Sequence, residues 1–96
     1  MTIRLCVLLW ARPGQEQALE AYENAVLTLL ADHDGRLLQR ARTLPGAADA
    51  APAEIQLIEF GGQAGYDGFL ADERRTAMTA RRDAAVARTE IYPVAL

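Results

Sequence analysis

The chain holds one cysteine, Cys6, and one histidine, His33. A lone cysteine can form neither an intrachain disulfide nor a thiolate cluster, and with a single histidine a zinc site built from this chain alone is not expected. Lysine is absent, so all ten basic residues are arginine. Together with the abundant alanine, this reads as a GC-rich coding preference before it reads as function. There is no phosphate-cradling glycine loop, no Gly-x-Ser-x-Gly elbow and no metal-ligand spacing. No cofactor and no metal are therefore implied. No apolar run approaches the roughly 20 residues of a membrane span. The opening MTIRLCVLLWARPG is interrupted by Arg4 and lacks a small-residue cleavage site before Arg12 and Pro13, so a secretory leader is not expected. An excess of positive charge is also missing. The net charge of -3 argues against a general nucleic-acid or anionic-membrane partner, and the cytoplasm is the expected compartment.

What is present is ordinary globular composition, with 51% hydrophobic and 24% charged residues, so the chain is expected to fold rather than stay disordered. Residues 1–96 make one domain. TIRLCVLLW (residues 2–10) reads as a strand stopped by Arg12-Pro13-Gly14. Ile3, Leu5, Val7 and Leu9 line one face; Cys6, Leu8 and Trp10 line the other. The next segment has helical period, with Leu19, Tyr22, Val26, Leu29 and His33 in one stripe and Glu16, Glu20 and Glu23 on the polar side. Leu27 falls on that polar side too, as an exposed leucine or a partner contact. Gly35 is the expected left-handed cap.

RLLQRARTL (residues 36–44) follows as a strand with Arg36, Leu38, Arg40 and Arg42 on one face, then a loop with two prolines. EIQLIEF (residues 54–60) is a strand apolar on both faces. A short helix carries Tyr66, Phe69 and Leu70 and is weakened by Gly65 and Gly68. A break near Asp72 leads into a longer helix over about 74–87, and EIYPVA closes as an edge strand containing Pro93. The order β-α-β-β-α-β, with the second helix split, is the ferredoxin-like α+β arrangement.

The helices of such a fold cover one face of the sheet, yet the first and third strands are apolar on both. A chain of this size buries only roughly 60–65% of its unfolded surface. A second copy packed sheet to sheet resolves both difficulties, so a homodimer is expected.

The runs RPGQEQALEAYENAV, HDGRLLQR, IQLIEF and RRDAAVARTEIYPV resemble the dimeric α+β barrel superfamily. Within it, the chain is most similar to the small uncharacterised family called domain of unknown function thirteen-thirty. In that family a helix ends in His-Gly-Gly-Arg, a further arginine follows in the strand, Glu-Phe closes the third strand, and a helical arginine precedes the last. His33, Gly35, Arg36, Arg40, Glu59, Phe60 and Arg82 stand at those positions. Asp34 replaces the first glycine and Gly61 replaces a proline. The resemblance implies the fold and the dimer, and more distantly points to antibiotic-biosynthesis-type monooxygenases, muconolactone isomerases and stress-responsive proteins. A fold shared among so many activities selects none of them.

His33 is the candidate acid/base at neutral pH; equally, a histidine at a helix end binds the last carbonyls and suits the dipole. Arg40 in mid-strand is costly unless paired, and it either holds a carboxylate or enolate-like ligand or pairs with an acid such as Glu59. Arg82 lies on the inward stripe of the last helix, as a ligand contact or a structural ion pair. Arg74, Arg81 and Arg88 form a separate, solvated stripe. Trp10, Tyr22, Tyr66 and Phe69 are candidate pocket walls. Three functions follow. The first is a homodimer binding a small apolar or carboxylate-bearing metabolite. The second is a cofactor-independent monooxygenase or isomerase using His33 and Arg40. The third is a non-catalytic stress-associated or interaction protein.

Overall fold

Strict alternation makes the first strand a divider between two layers. In the computed structural model, which describes residues 1–96, β1 (Ile3–Ala11) buries Leu5, Val7 and Leu9, while Cys6, Leu8 and Trp10 stay half-buried on the opposite face. After it come α1 (Glu16–Val26), β2 (Gly35–Arg42), β3 (Glu54–Phe60), α2 (Gln63–Ala71), α3 (Glu73–Thr76), α4 (Thr79–Ala85) and β4 (Val86–Pro93). All neighbouring strands are antiparallel in the order β2-β3-β1-β4. This is the ferredoxin-like α+β fold, with the second helix broken at Asp72 and again before Thr79. The core is one cluster in which Leu19, Tyr22 and Val26 of α1 and Phe69 of α2 pack on Leu5, Val7, Ile58 and Phe60 of the sheet. No helix is long and apolar enough to cross a membrane.

Four local departures from the sequence pattern matter for the site. Beyond Val26 the helix tightens into a 3₁₀ segment, Leu27–His33. Leu27 at its start lies four residues on from Glu23 and eight from Leu19, so ordinary helical period packs it against the core instead of into solvent. The left-handed cap is Asp34, at φ 56, and not Gly35. Aspartate tolerates that conformation better than most residues. Gly35 is needed for close approach, since a Cβ there would lie 2.8 Å from the Phe60 ring.

A bulge between Leu37 and Gln39 interrupts β2. The extra residue flips the alternation, so Arg36 pairs with Glu59 on one face while Arg40, opposite Gln56, and Arg42, opposite Glu54, lie on the other. The four residues 36, 38, 40 and 42 therefore do not share a face. Finally, β4 begins at Val86, where a helix reaching about residue 87 was expected. Pairing of Leu9 with Thr89 and of Val7 with Ile91 outweighs the helical propensity of the alanines. Arg88 thus leaves the supposed helical stripe and stacks its guanidinium 4.5 Å from the Trp10 ring centroid. Pro93 ends the edge strand, where its missing N–H costs nothing.

The sheet face away from the helices has an apolar centre of Cys6, Leu8, Ile55 and Leu57, all half-buried, and no element of this chain covers it. Glu59 bridges three strands at its margin, accepting from Arg4 Nε at 3.0 Å and Arg36 Nε at 2.8 Å. These guanidiniums hold its carboxyl below the usual range.

Candidate functional site

Packing α1 and α2–α4 over the sheet leaves a cavity of about 90 Å³ between the layers. Its floor is apolar, from Leu5, Val7, Leu9, Ile58 and Phe60. Tyr22, Tyr66 and Phe69 form walls, and Arg75 and Arg82 border it from the broken second helix. Thr89 and Ile91 of β4 complete the rim, with Ile91 exposed, so the cavity opens beside the edge strand. A chamber of this size is smaller than the roughly 150 Å³ cavity known to admit benzene. Any ligand larger than a few atoms must extend into the open mouth.

The guanidiniums at the rim are weakly engaged. Arg82 reaches Thr89 Oγ1 at 3.4 Å, and its nearest carboxylate is Asp83 at 3.9 Å. Arg75 donates to the Leu70 carbonyl at 3.4 Å and lies 5.3 Å from the Phe69 ring centroid. Compare Arg40, which grips Glu54 with Nε at 2.8 Å and Nη2 at 3.1 Å and donates to Asn24 Oδ1 at 2.6 Å. Arginines held that firmly are structural ties; those at the rim are free to take an anion.

Two acids on the helix-facing side of the sheet escaped the sequence reading. Glu54 is fully buried, and besides Arg40 it accepts from Gln56 Nε2 at 2.6 Å. Glu23 borders the cavity and is 5% exposed, although its charge suggested the polar side of α1. The signal was present: 19, 22, 23 and 26 are the i, i+3, i+4, i+7 positions of one stripe. Burial, reinforced by the Glu54 carboxylate, pushes the Glu23 carboxyl up to about 7, against the opposing influence of Gln56, Arg40 and Arg75. Burial also raises the Tyr22 hydroxyl, with Arg75 pulling the other way.

Of the residues singled out from sequence, Tyr22, Tyr66, Phe69 and Arg82 border this cavity. Trp10 does not; its indole N–H donates to the Ala50 carbonyl at 2.9 Å and ties down the loop before β3. Arg40 pairs with Glu54 rather than Glu59, because the bulge carries it to the helix side. His33 packs edge-on to Phe69, with centroids 6.3 Å apart, and its Nε2 lies 2.7 Å from Asp72 Oδ2. It stands behind the Phe69 wall and does not line the cavity, so His33 and Arg40 share no chamber. Asp72 also caps α3 by accepting from the Arg74 N–H at 2.8 Å, and Arg74, with His33 second, holds its carboxyl well below the usual range. No three His, Cys, Asp or Glu side chains gather as a metal site.

Gly65 and Gly68 do more than weaken α2. A Cβ on Gly68 would lie 2.9 Å from His33 Nδ1, and one on Gly65 would collide with the His33 backbone carbonyl. Gly65→Ala should therefore destabilise the fold by about 2 kcal/mol, despite a helix-propensity gain of about 1 kcal/mol. Urea unfolding checks this; an increase in stability would show that α2 does not need that close approach.

No family model matches the chain, and no curated protein matches it at a significant level. Solved structures do. A protein of unknown function from Rhodopseudomonas palustris superposes with a TM-score of 0.79 at 17% identity, covering 97% of this chain and 80% of that one. A dabb family protein with a ferredoxin-like fold from Mesorhizobium loti gives 0.70 at 14% identity, covering 99% and 96%. A dimeric ferredoxin-like protein of unknown function from Thermobifida fusca gives 0.71 at 17% identity, covering 100% and 92%. These likenesses define the chain as a small ferredoxin-like α+β protein.

Proposed function

We propose that the protein is a cytoplasmic homodimer of the dimeric α+β barrel kind, akin to the domain of unknown function thirteen-thirty family, that binds a small apolar carboxylate-bearing metabolite between helices and sheet. One observation carries the ligand reading: an apolar cavity is bordered by two arginines, Arg75 and Arg82, with no carboxylate closer than the 3.9 Å of Arg82 to Asp83. An apolar body would displace solvent from the floor, and its carboxylate would meet the guanidiniums at the mouth. Benzoate is a suitable probe. Arg82→Gln should weaken its binding about tenfold by calorimetry, equivalent to about 1.4 kcal/mol. Wild-type affinity in an Arg75→Gln/Arg82→Gln double variant would contradict the reading.

The dimer rests on the uncovered apolar centre of the outer face and on the dimeric state described for the Thermobifida fusca neighbour. Light scattering at low micromolar concentration should give twice the chain mass, and Leu57→Arg at the centre of that face should give the monomer. A monomeric wild type under those conditions would contradict it.

A further inference from the structure

Glu23 is the one acidic side chain bordering the cavity. It is 5% exposed, and Gln56 beside it is 2% exposed. The polar groups beside it or across the cavity are Tyr22 on α1, Arg40 on β2, Glu54 and Gln56 on β3, Arg75 on α3 and Arg82 on α4. Of these cations, Arg40 is committed to Glu54 and Arg75 lies against Phe69 at the rim. Leucine would suit this position of the α1 stripe without the cost of desolvating an acid. A carboxylate in an apolar chamber, without an ion pair of its own, is placed to meet something that enters.

We propose that Glu23 determines specificity by accepting a hydrogen bond from a hydroxyl of the ligand, so that the site takes small apolar hydroxy acids, phenolic or enolic, in preference to plain acids. The inference rests on the ligand reading above. The alternatives fail on charge. A second carboxylate on the ligand would face the Glu23 carboxylate, and an ammonium group would face Arg75 and Arg82. A neutral hydroxyl is the donor compatible with both sets, and a hydrogen bond to an ionised acceptor is about twice as strong as a neutral one.

Calorimetry at pH 8 with benzoate, 3-hydroxybenzoate, 4-hydroxybenzoate and isophthalate tests this. In the wild-type protein the better hydroxybenzoate should bind at least tenfold tighter than benzoate, and isophthalate more weakly than either. Glu23→Leu should bring the hydroxy acid and benzoate within twofold of each other. The neutral Glu23→Gln variant, closest in shape, should lose at least threefold of the preference. If benzoate binds and neither hydroxyl helps in the wild type, the Glu23 assignment falls and the binding site stands. It falls equally if the preference survives in both variants. If none of the probes binds at millimolar concentration, the ligand reading fails and takes this one with it.

Discussion

Glu23→Gln should stabilise the protein at pH 8 by on the order of 3 kcal/mol and leave its stability at pH 4.5 nearly unchanged. The native carboxyl sits at about 7, above the 4.5 of the unfolded chain. Between those values the native state holds a proton that the unfolded state has released, so stability falls as pH rises through that window. Each unit of difference is worth about 1.4 kcal/mol, which sets the total. The substitution removes the titration and with it the slope. Glu59 and Asp72 act with the opposite sign, because their carboxyls are held low in the folded protein. Their contribution is present above the unfolded value and is lost only as pH falls towards the acid limb. Wild-type stability should therefore be greatest near the upper edge of that limb, around pH 5. Urea unfolding of both proteins from pH 5 to 8 reads the difference directly. Parallel curves would show that Glu23 does not titrate in this window. A residue that destabilises its own fold at neutral pH is a common mark of a functional position.

The second large effect is at the Arg40–Glu54 pair. Arg40→Met should cost about 3–5 kcal/mol, because it leaves the wholly buried Glu54 carboxyl without its cation. The double variant Arg40→Met/Glu54→Leu should recover most of that loss, since a buried ion pair replaced by apolar groups of similar volume is often neutral. Denaturant midpoints for the two single variants and the double distinguish these outcomes. If Arg40→Met is tolerated at wild-type stability, Arg40 is not a structural tie and its assignment to ligand binding regains ground. The strength of the Arg40 contacts, set against the loose ones of Arg82, separates a support from a binding group within one small protein.

The fold was legible because alternation and helical period are properties of backbone geometry. Leu5, Val7 and Leu9 against Cys6, Leu8 and Trp10 show a strand apolar on both faces, and the structure buries the first set in the core and leaves the second half-buried. The site was only half legible. Tyr22, Tyr66, Phe69 and Arg82 were found because large residues on inward stripes meet wherever helices cross a sheet. His33 and Arg40 were chosen for their chemistry, and their positions turn on details that period cannot show. A single extra residue in β2 decides which acid Arg40 meets, and the packing of α2 through two glycines decides that Phe69 screens His33. Glu23 groups with Glu16 and Glu20 on the polar side of the helix by charge, where a glutamate usually faces water. Its spacing from Leu19 and Val26 pointed inward all the same.

The cavity between helices and sheet as a binding site is the centre of this account, and chemical-shift mapping by NMR tests it most directly. On titration with benzoate, the perturbed resonances should be those of Tyr22, Glu23, Phe69, Arg82 and Thr89, which border the cavity. Perturbation confined to Cys6 and Leu57 on the outer face, or to His33 and Asp72, or none at millimolar ligand, would contradict it.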